Sequence, residues 1–121
     1  MTTTVNLNGS GVPGLTADAI TGFVTNAQTA SGASQGAQTM PSDVVAYTSS
    51  TASYGPTLPS TAQSGDSYFV CNNTANSINV WPASGGKIGY TSADTALAIG
   101  SGKSAKFISL GLNNWMYVLS A

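Results

Sequence analysis

From Asp43 onward the chain is a succession of short runs rich in β-branched and aromatic residues, each closed by Gly, Pro, Asn or Ser. This spacing constrains the fold more than any other feature. The runs are Val44–Thr48, Tyr68–Asn72, Ile78–Trp81, Ala96–Ile99, Ala105–Leu110 and Trp115–Leu119, and no helical periodicity of useful length interrupts them. Regularly spaced short strands predict an all-β fold, a small antiparallel β-sandwich or barrel of jelly-roll-like form. Tyr68–Asn72 and Ile78–Trp81, joined across Asn73–Ser77, read as one hairpin. Ala105–Leu110 and Trp115–Leu119, joined by Gly111–Asn114, read as a second. Pro56, Pro59 and Pro82 fall at strand margins, where a missing N–H is tolerated. Phe69, Val80, Phe107, Ile108 and Trp115 are expected to dominate the core. Alternation along the last run places Trp115, Tyr117 and Leu119 in one core stripe.

Residues 1–42 differ from the rest. They are rich in Gly, Ser, Thr, Asn, Ala and Gln and carry one charge, Asp18, so they read as an extended N-terminal arm preceding a β module over 43–121. Within the arm, Thr3–Leu7 has the pattern of a strand. Ile20, Phe23, Val24 and Ala27 fall at i, i+3, i+4 and i+7, the spacing of a short helix near 17–29. Thr16 would cap that helix, Asp18 would sit in its favourable first turn and Gly32 would end it. A neutral arm of this composition buries too little apolar surface to fold alone, so residues 1–42 are expected to be mobile in the isolated protein and to order against a neighbouring subunit or a larger assembly.

The chain has 121 residues, of which three are Lys, four are Asp and none is Arg, Glu or His, for a formal net charge of −1. Without a basic stripe, binding of nucleic acid through phosphate neutralisation has almost nothing to work with. No apolar run approaches the roughly 20 residues of a membrane span, and Met1–Thr4 opens no secretion signal. Nucleic-acid and membrane partners are therefore not expected, and synthesis in a cytoplasm is. A surface so poor in charge favours association with copies of itself or with an assembly.

The motifs that resemble chemistry fail on context. Gly9-Ser10-Gly11-Val12-Pro13-Gly14 matches a dinucleotide-binding glycine pattern, but no acidic residue stands about 20 positions on and no βαβ unit follows. Gly100-Ser101-Gly102-Lys103-Ser104 ends like a phosphate-binding loop, but position 97 is Leu97 where the pattern needs glycine. General acid–base catalysis near neutral pH most often uses His, and there is none. Cys71, the single cysteine, has no His to activate it and reads as a small core hydrophobe. Asp43, Asp66 and Asp94 show no ligand spacing, and Asp66 after Gly65 reads as turn chemistry. No catalytic, cofactor-binding or metal-binding residue is assigned, no cofactor is expected, and the chain reads as not an enzyme. Trp81, Trp115, Tyr68 and Tyr117 are the aromatic residues from which a carbohydrate-stacking face could be built.

Across residues 58–118 the chain resembles a short β module common in virion proteins of tailed bacteriophages. The resemblance rests on Leu58-Pro59, Gly65-Asp66-Ser67, Val70-Cys71-Asn72-Asn73, Ile78-Asn79-Val80-Trp81-Pro82 and Gly85-Gly86-Lys87-Ile88. It continues through Leu97-Ala98-Ile99-Gly100, Lys103-Ser104-Ala105-Lys106-Phe107 and Asn114-Trp115. It covers about half of the chain and leaves residues 1–57 unmatched. It implies a structural protein of the virion: a capsid decoration protein that binds the outer shell and stabilises it, with the major capsid protein and copies of itself, as a homotrimer, for partners. A tail or head-fibre component and a carbohydrate-binding module are the alternatives.

Overall fold

The computed structural model describes residues 24–120. Eight strands follow in order: β1 Val24–Thr29, β2 Val44–Ser49, β3 Ser67–Asn72, β4 Ile78–Val80, β5 Lys87–Ile88, β6 Leu97–Ile99, β7 Ser104–Gly111 and β8 Asn114–Leu119. Among the described residues there is no helix. Six strands form one sheet in the order β1-β2-β3-β7-β8-β5, and β4 pairs with β6 in a second, small one. The architecture is that of a small β-sandwich.

The large sheet is mixed rather than purely antiparallel. β1, β2 and β3 run parallel, as do β5 and β8, while β7 is antiparallel to both of its neighbours, β3 and β8. Parallel neighbours need long crossovers, and the segments 30–43 and 50–66 supply them. These crossovers widen the small sheet. Thr57 bridges both Thr39 and Trp81, with Thr57 N–H donating to Gln38 C=O at 2.7 Å and Leu58 N–H to Trp81 C=O at 2.8 Å. Gly55 lies here so close to β4 that an added Cβ would overlap the Asn79 carbonyl oxygen.

Of the helix expected over 17–29, residues 24–29 are instead strand β1, and residues 17–23 lie outside the described residues together with Thr3–Leu7. The ladder offered by Val44 and Val45 overrides the helical spacing, which Thr25, Asn26 and Thr29 support poorly. The described part of the arm, residues 24–42, runs along the sheet. Ala30 is buried, and Thr25 Oγ1 and Ser42 Oγ are 2.8 Å apart.

The first expected hairpin does not form. A strand has two edges, and both edges of β3 are taken, by β2 and by β7. The chain leaves the large sheet at Asn72, whose backbone pairs with the β6–β7 turn: its N–H donates to Lys103 C=O at 2.9 Å and its C=O accepts from Gly102 N–H at 2.8 Å. The buried Asn72 side chain then ties the two sheets together. Its Nδ2 donates to Asn76 C=O at 2.8 Å and to Ile99 C=O at 2.9 Å, and its Oδ1 accepts from Thr74 N–H at 3.0 Å. The second hairpin forms as expected, β7 and β8 turning through Leu112 and Asn113 with φ of 53° and 60°, the left-handed pair of a type I′ turn.

The core lies between the sheets. Val45, Tyr47, Val70, Ala105, Phe107 and Trp115 face inward from the large sheet and meet Ile78, Val80 and Ile99 of the small one, with Leu58 and Ile88 filling the ends. Three of the five expected core residues, Val80, Phe107 and Trp115, are buried there. Phe69 and Ile108 are not core residues. Because Val70 and Asn72 point inward, alternation turns Phe69 and Cys71 outward, and Ile108 follows between the inward Phe107 and Ser109. Cys71 is accordingly half-buried on the outer face. Of the expected stripe on β8 only Trp115 is covered, and Tyr117 and Leu119 remain substantially exposed.

Candidate interaction surface

The outer face of the large sheet carries the most unusual chemistry in the molecule. Register places Val24, Val44, Phe69, Lys106 and Val118 side by side in one row across five strands. The adjacent row holds Ser67, Ile108 and Met116. Val24 is 72% exposed, Val118 61%, Met116 43% and Phe69 39%. Lys106 is the one ionisable side chain in these rows, and its ammonium lies 5.4 Å from the centroid of the Phe69 ring, where the ring's negative face attracts it. Between them is a shallow hollow of about 300 Å³ lined by Phe69, Lys106, Val118, Ser104 and Ser120. β-Branched and aromatic residues usually alternate with polar ones on a sheet with one wet face. Here apolar residues occupy both faces.

One edge of this sheet is also unpaired. Ser120 N–H donates to Ser104 C=O at 2.8 Å, which sets the phase of the β7–β8 ladder. Met116 and Val118 therefore direct their backbone groups to β7, and Tyr117 and Leu119 direct theirs the other way. β5 covers only the start of that side, its line ending where Gly89 N–H donates to Trp115 C=O at 2.8 Å. Beyond it, among the described residues, no strand lies against the side of β8 that faces away from β7, at Tyr117 and Leu119. The opposite edge, β1, is interrupted by register shifts at Gln28 and by a positive φ of 63° at Ala27, irregularities that blunt an edge against pairing. β8 has no charge or proline along Asn114–Leu119, and the register shift in its ladder with β7 lies at its start, opposite Ser109 and Gly111.

A separate cleft of about 440 Å³ is walled by Met40, Leu58, Pro59 and Tyr68, with Asp43 and Thr57 among its polar residues. Tyr68 packs edge-on against Trp115, centroids 5.6 Å apart at 68°. Burial, and then the negative charges of Asp43 and Asp66, push its phenol above the ordinary tyrosine value.

The four aromatic residues considered for a carbohydrate face do not share one. Trp115 is 2% exposed and offers no free ring face. Trp81 is half-buried, Tyr68 lines the cleft and Tyr117 lies beside Gly89 at the β5 end. Gly100–Ser104 is the tight turn between β6 and β7, closed by Lys103 N–H donating to Gly100 C=O at 3.1 Å, and a strand follows it where a phosphate loop needs a helix. The glycine pattern at 9–14 and Asp18 lie outside the described residues. Asp66 accepts from Gln63 N–H at 2.8 Å in the turn before β3. Asp94 accepts from Gln35 Nε2 at 2.9 Å and Gly85 N–H at 2.7 Å, which hold its carboxyl below the usual carboxylate range against a small opposing effect of desolvation. Among the described residues no three metal-binding side chains converge.

Sequence reasoning missed the apolar outer face because it assigned Phe69 and Ile108 to the core. The signal was present in β7, where Ala105, Phe107 and Ser109 alternate with Lys106, Ile108 and Leu110, so that both faces read as apolar. Comparison with protein families, with curated proteins and with solved structures finds no match to the chain.

Proposed function

We propose that the chain is a structural protein of a tailed-phage virion, a capsid decoration protein that binds the outer shell and stabilises it by bridging capsomers. The sequence resemblance over residues 58–118 supplies the class. The observation that carries the reading is the outer sheet face, a row running from Val24 to Val118 that is apolar except for Lys106. Contiguous apolar surface of this kind on a small domain marks an interaction site, and the open β8 edge adds backbone groups that a partner strand can satisfy. The partners are the major capsid protein and copies of this chain in a homotrimer. The reading requires no cofactor and no catalysis, and it places the protein on the capsid surface.

Localisation tests it. Purified particles carrying an epitope-tagged copy should show label over the whole shell, with a copy number that scales with the number of capsomers. Label confined to the tail or to one vertex, at a few copies, assigns the chain to a tail or head fibre. Its absence from particles refutes the virion reading.

A further inference from the structure

We infer that Leu112, at the tip of the β7–β8 hairpin, seats in the cleft walled by Met40, Leu58, Pro59 and Tyr68 on a neighbouring copy of this chain, with Lys87 meeting Asp43. The inference rests on the homotrimer proposed for the chain and is independent of the virion assignment. Leu112 is 96% exposed and holds a φ of 53°. The type I′ turn favours Asn or Gly at its central positions, and a leucine pays to adopt that conformation. The tip is also firmly held. Asn113 Nδ2 donates to Ala83 C=O and to Ser84 C=O, both at 3.2 Å, and Lys87 N–H donates to Asn113 C=O at 3.2 Å. Among the described residues leucine here gains neither burial nor backbone ease, so its gain lies in what it meets.

The cleft has the complementary chemistry. Its volume of about 440 Å³ is ample for a leucine side chain, and Asp43 is the one carboxylate that lines it. Asp66 stands near enough for both negative charges to act on the Tyr68 phenol. The tip carries the opposite sign, because Lys87 is exposed and pairs with Asn114 at the base of the turn. One chain thus presents an apolar knob beside a lysine and an apolar cleft beside an aspartate, in a molecule with only three lysines and four aspartates. This charge complementarity selects a second copy as the occupant. Ala83 both accepts from Asn113 and lines the cleft, so knob and cleft adjoin. A contact between two different surfaces repeats around a rotation axis, and surfaces that adjoin let a small ring close. In a ring of three, each copy gives one tip and takes one. The outer face of the large sheet stays free for another partner.

Sedimentation velocity of the full-length chain over a range of concentrations tests the contact. Leu112→Asn should raise the concentration at which trimers dissociate by roughly tenfold or more. Compared at dilutions where both are monomeric, this variant should unfold at or above the parent's temperature, because Asn suits the turn. Asp43→Lys should weaken each contact roughly two- to fivefold, and adding Lys87→Asp should restore it. Cross-linking identifies the surfaces that meet. In a Cys71→Ser background, a chain carrying Leu112→Cys and a chain carrying Ser60→Cys, a position lining the cleft, should form a mixed disulfide on mild oxidation, identified by peptide mapping, and neither should link to itself. Trimers that tolerate Leu112→Asn, or disulfides joining position 112 only to position 112, overturn this contact and leave the homotrimer standing. A parent that is monomeric at every concentration overturns the homotrimer and this contact together, while labelling of particles judges the virion assignment separately.

Discussion

At Tyr47 and Asn72 the same problem, a polar group inside the core, has two different solutions. Asn72 is fully buried, and both ends of its amide are bonded to the backbone of Asn76, Ile99 and Thr74. Tyr47 is equally buried, but its hydroxyl has no hydrogen-bond partner. Burial raises its phenol far above the ordinary value near 10. The unfolded chain therefore loses this proton from about pH 10 upward while the folded chain retains it. Above that pH the unfolded state binds fewer protons, and stability falls as pH rises. Tyr47→Phe removes both the orphan hydroxyl and this titration. Denaturant unfolding at pH 7 should find the variant as stable as the parent or up to about 1 kcal/mol more so. The loss of stability between about pH 9 and 11 should be smaller than in the parent, Tyr68 accounting for part of what remains. A loss above about 2 kcal/mol at pH 7 would mean that the hydroxyl is satisfied by water.

The strands of the large sheet are not equally secured. β3 and β7 are central, each paired on both sides, and they carry Val70, Ala105 and Phe107 into the core. β1 is an edge strand joined through an irregular parallel ladder, and it places no fully buried side chain inward. Local opening is governed by such differences in pairing and burial. Native-state hydrogen exchange should therefore show the amides of Val24–Thr29 opening well below the global unfolding free energy, and those of Tyr68–Asn72 and Ala105–Ile108 exchanging only with it. Equal protection in β1 and β3 would contradict this order and would indicate cover on β1 from outside the described residues. The hairpin β7–β8 was legible because its turn, Leu112-Asn113, is local. The partners of β3 were not, since they lie far upstream and far downstream in sequence, as in Val44↔Phe69 and Phe69↔Lys106, and no local signal ranks such pairings.

For the whole molecule, scarcity of charge decides how it can associate. With three lysines and four aspartates, few ion pairs can cross any interface, and exposed pairs contribute only about 0–1 kcal/mol each. Attachment should rest on apolar contact, shape and backbone pairing. On the proposed virion reading, occupancy on particles, measured by sedimentation and gel densitometry, should then change little between roughly 0.05 and 1 M salt, over which the Debye length shrinks from above 10 Å to about 3 Å. Complete release at about 1 M salt with the protein still folded would show that the partner's charge dominates. The sequence by itself determined the β class, the position of six of the eight strands, the β7–β8 turn and the burial of Val80, Phe107 and Trp115, because alternation and turn chemistry act within a few residues. Only the tertiary structure decided that β1 is a strand, that β4 leaves β3 for β6, and that Phe69, Cys71 and Ile108 look outward. Those outcomes depend on which edges distant strands occupy and on which of two apolar faces meets the second sheet. A strand apolar on both sides carries no local mark of the side that will be covered.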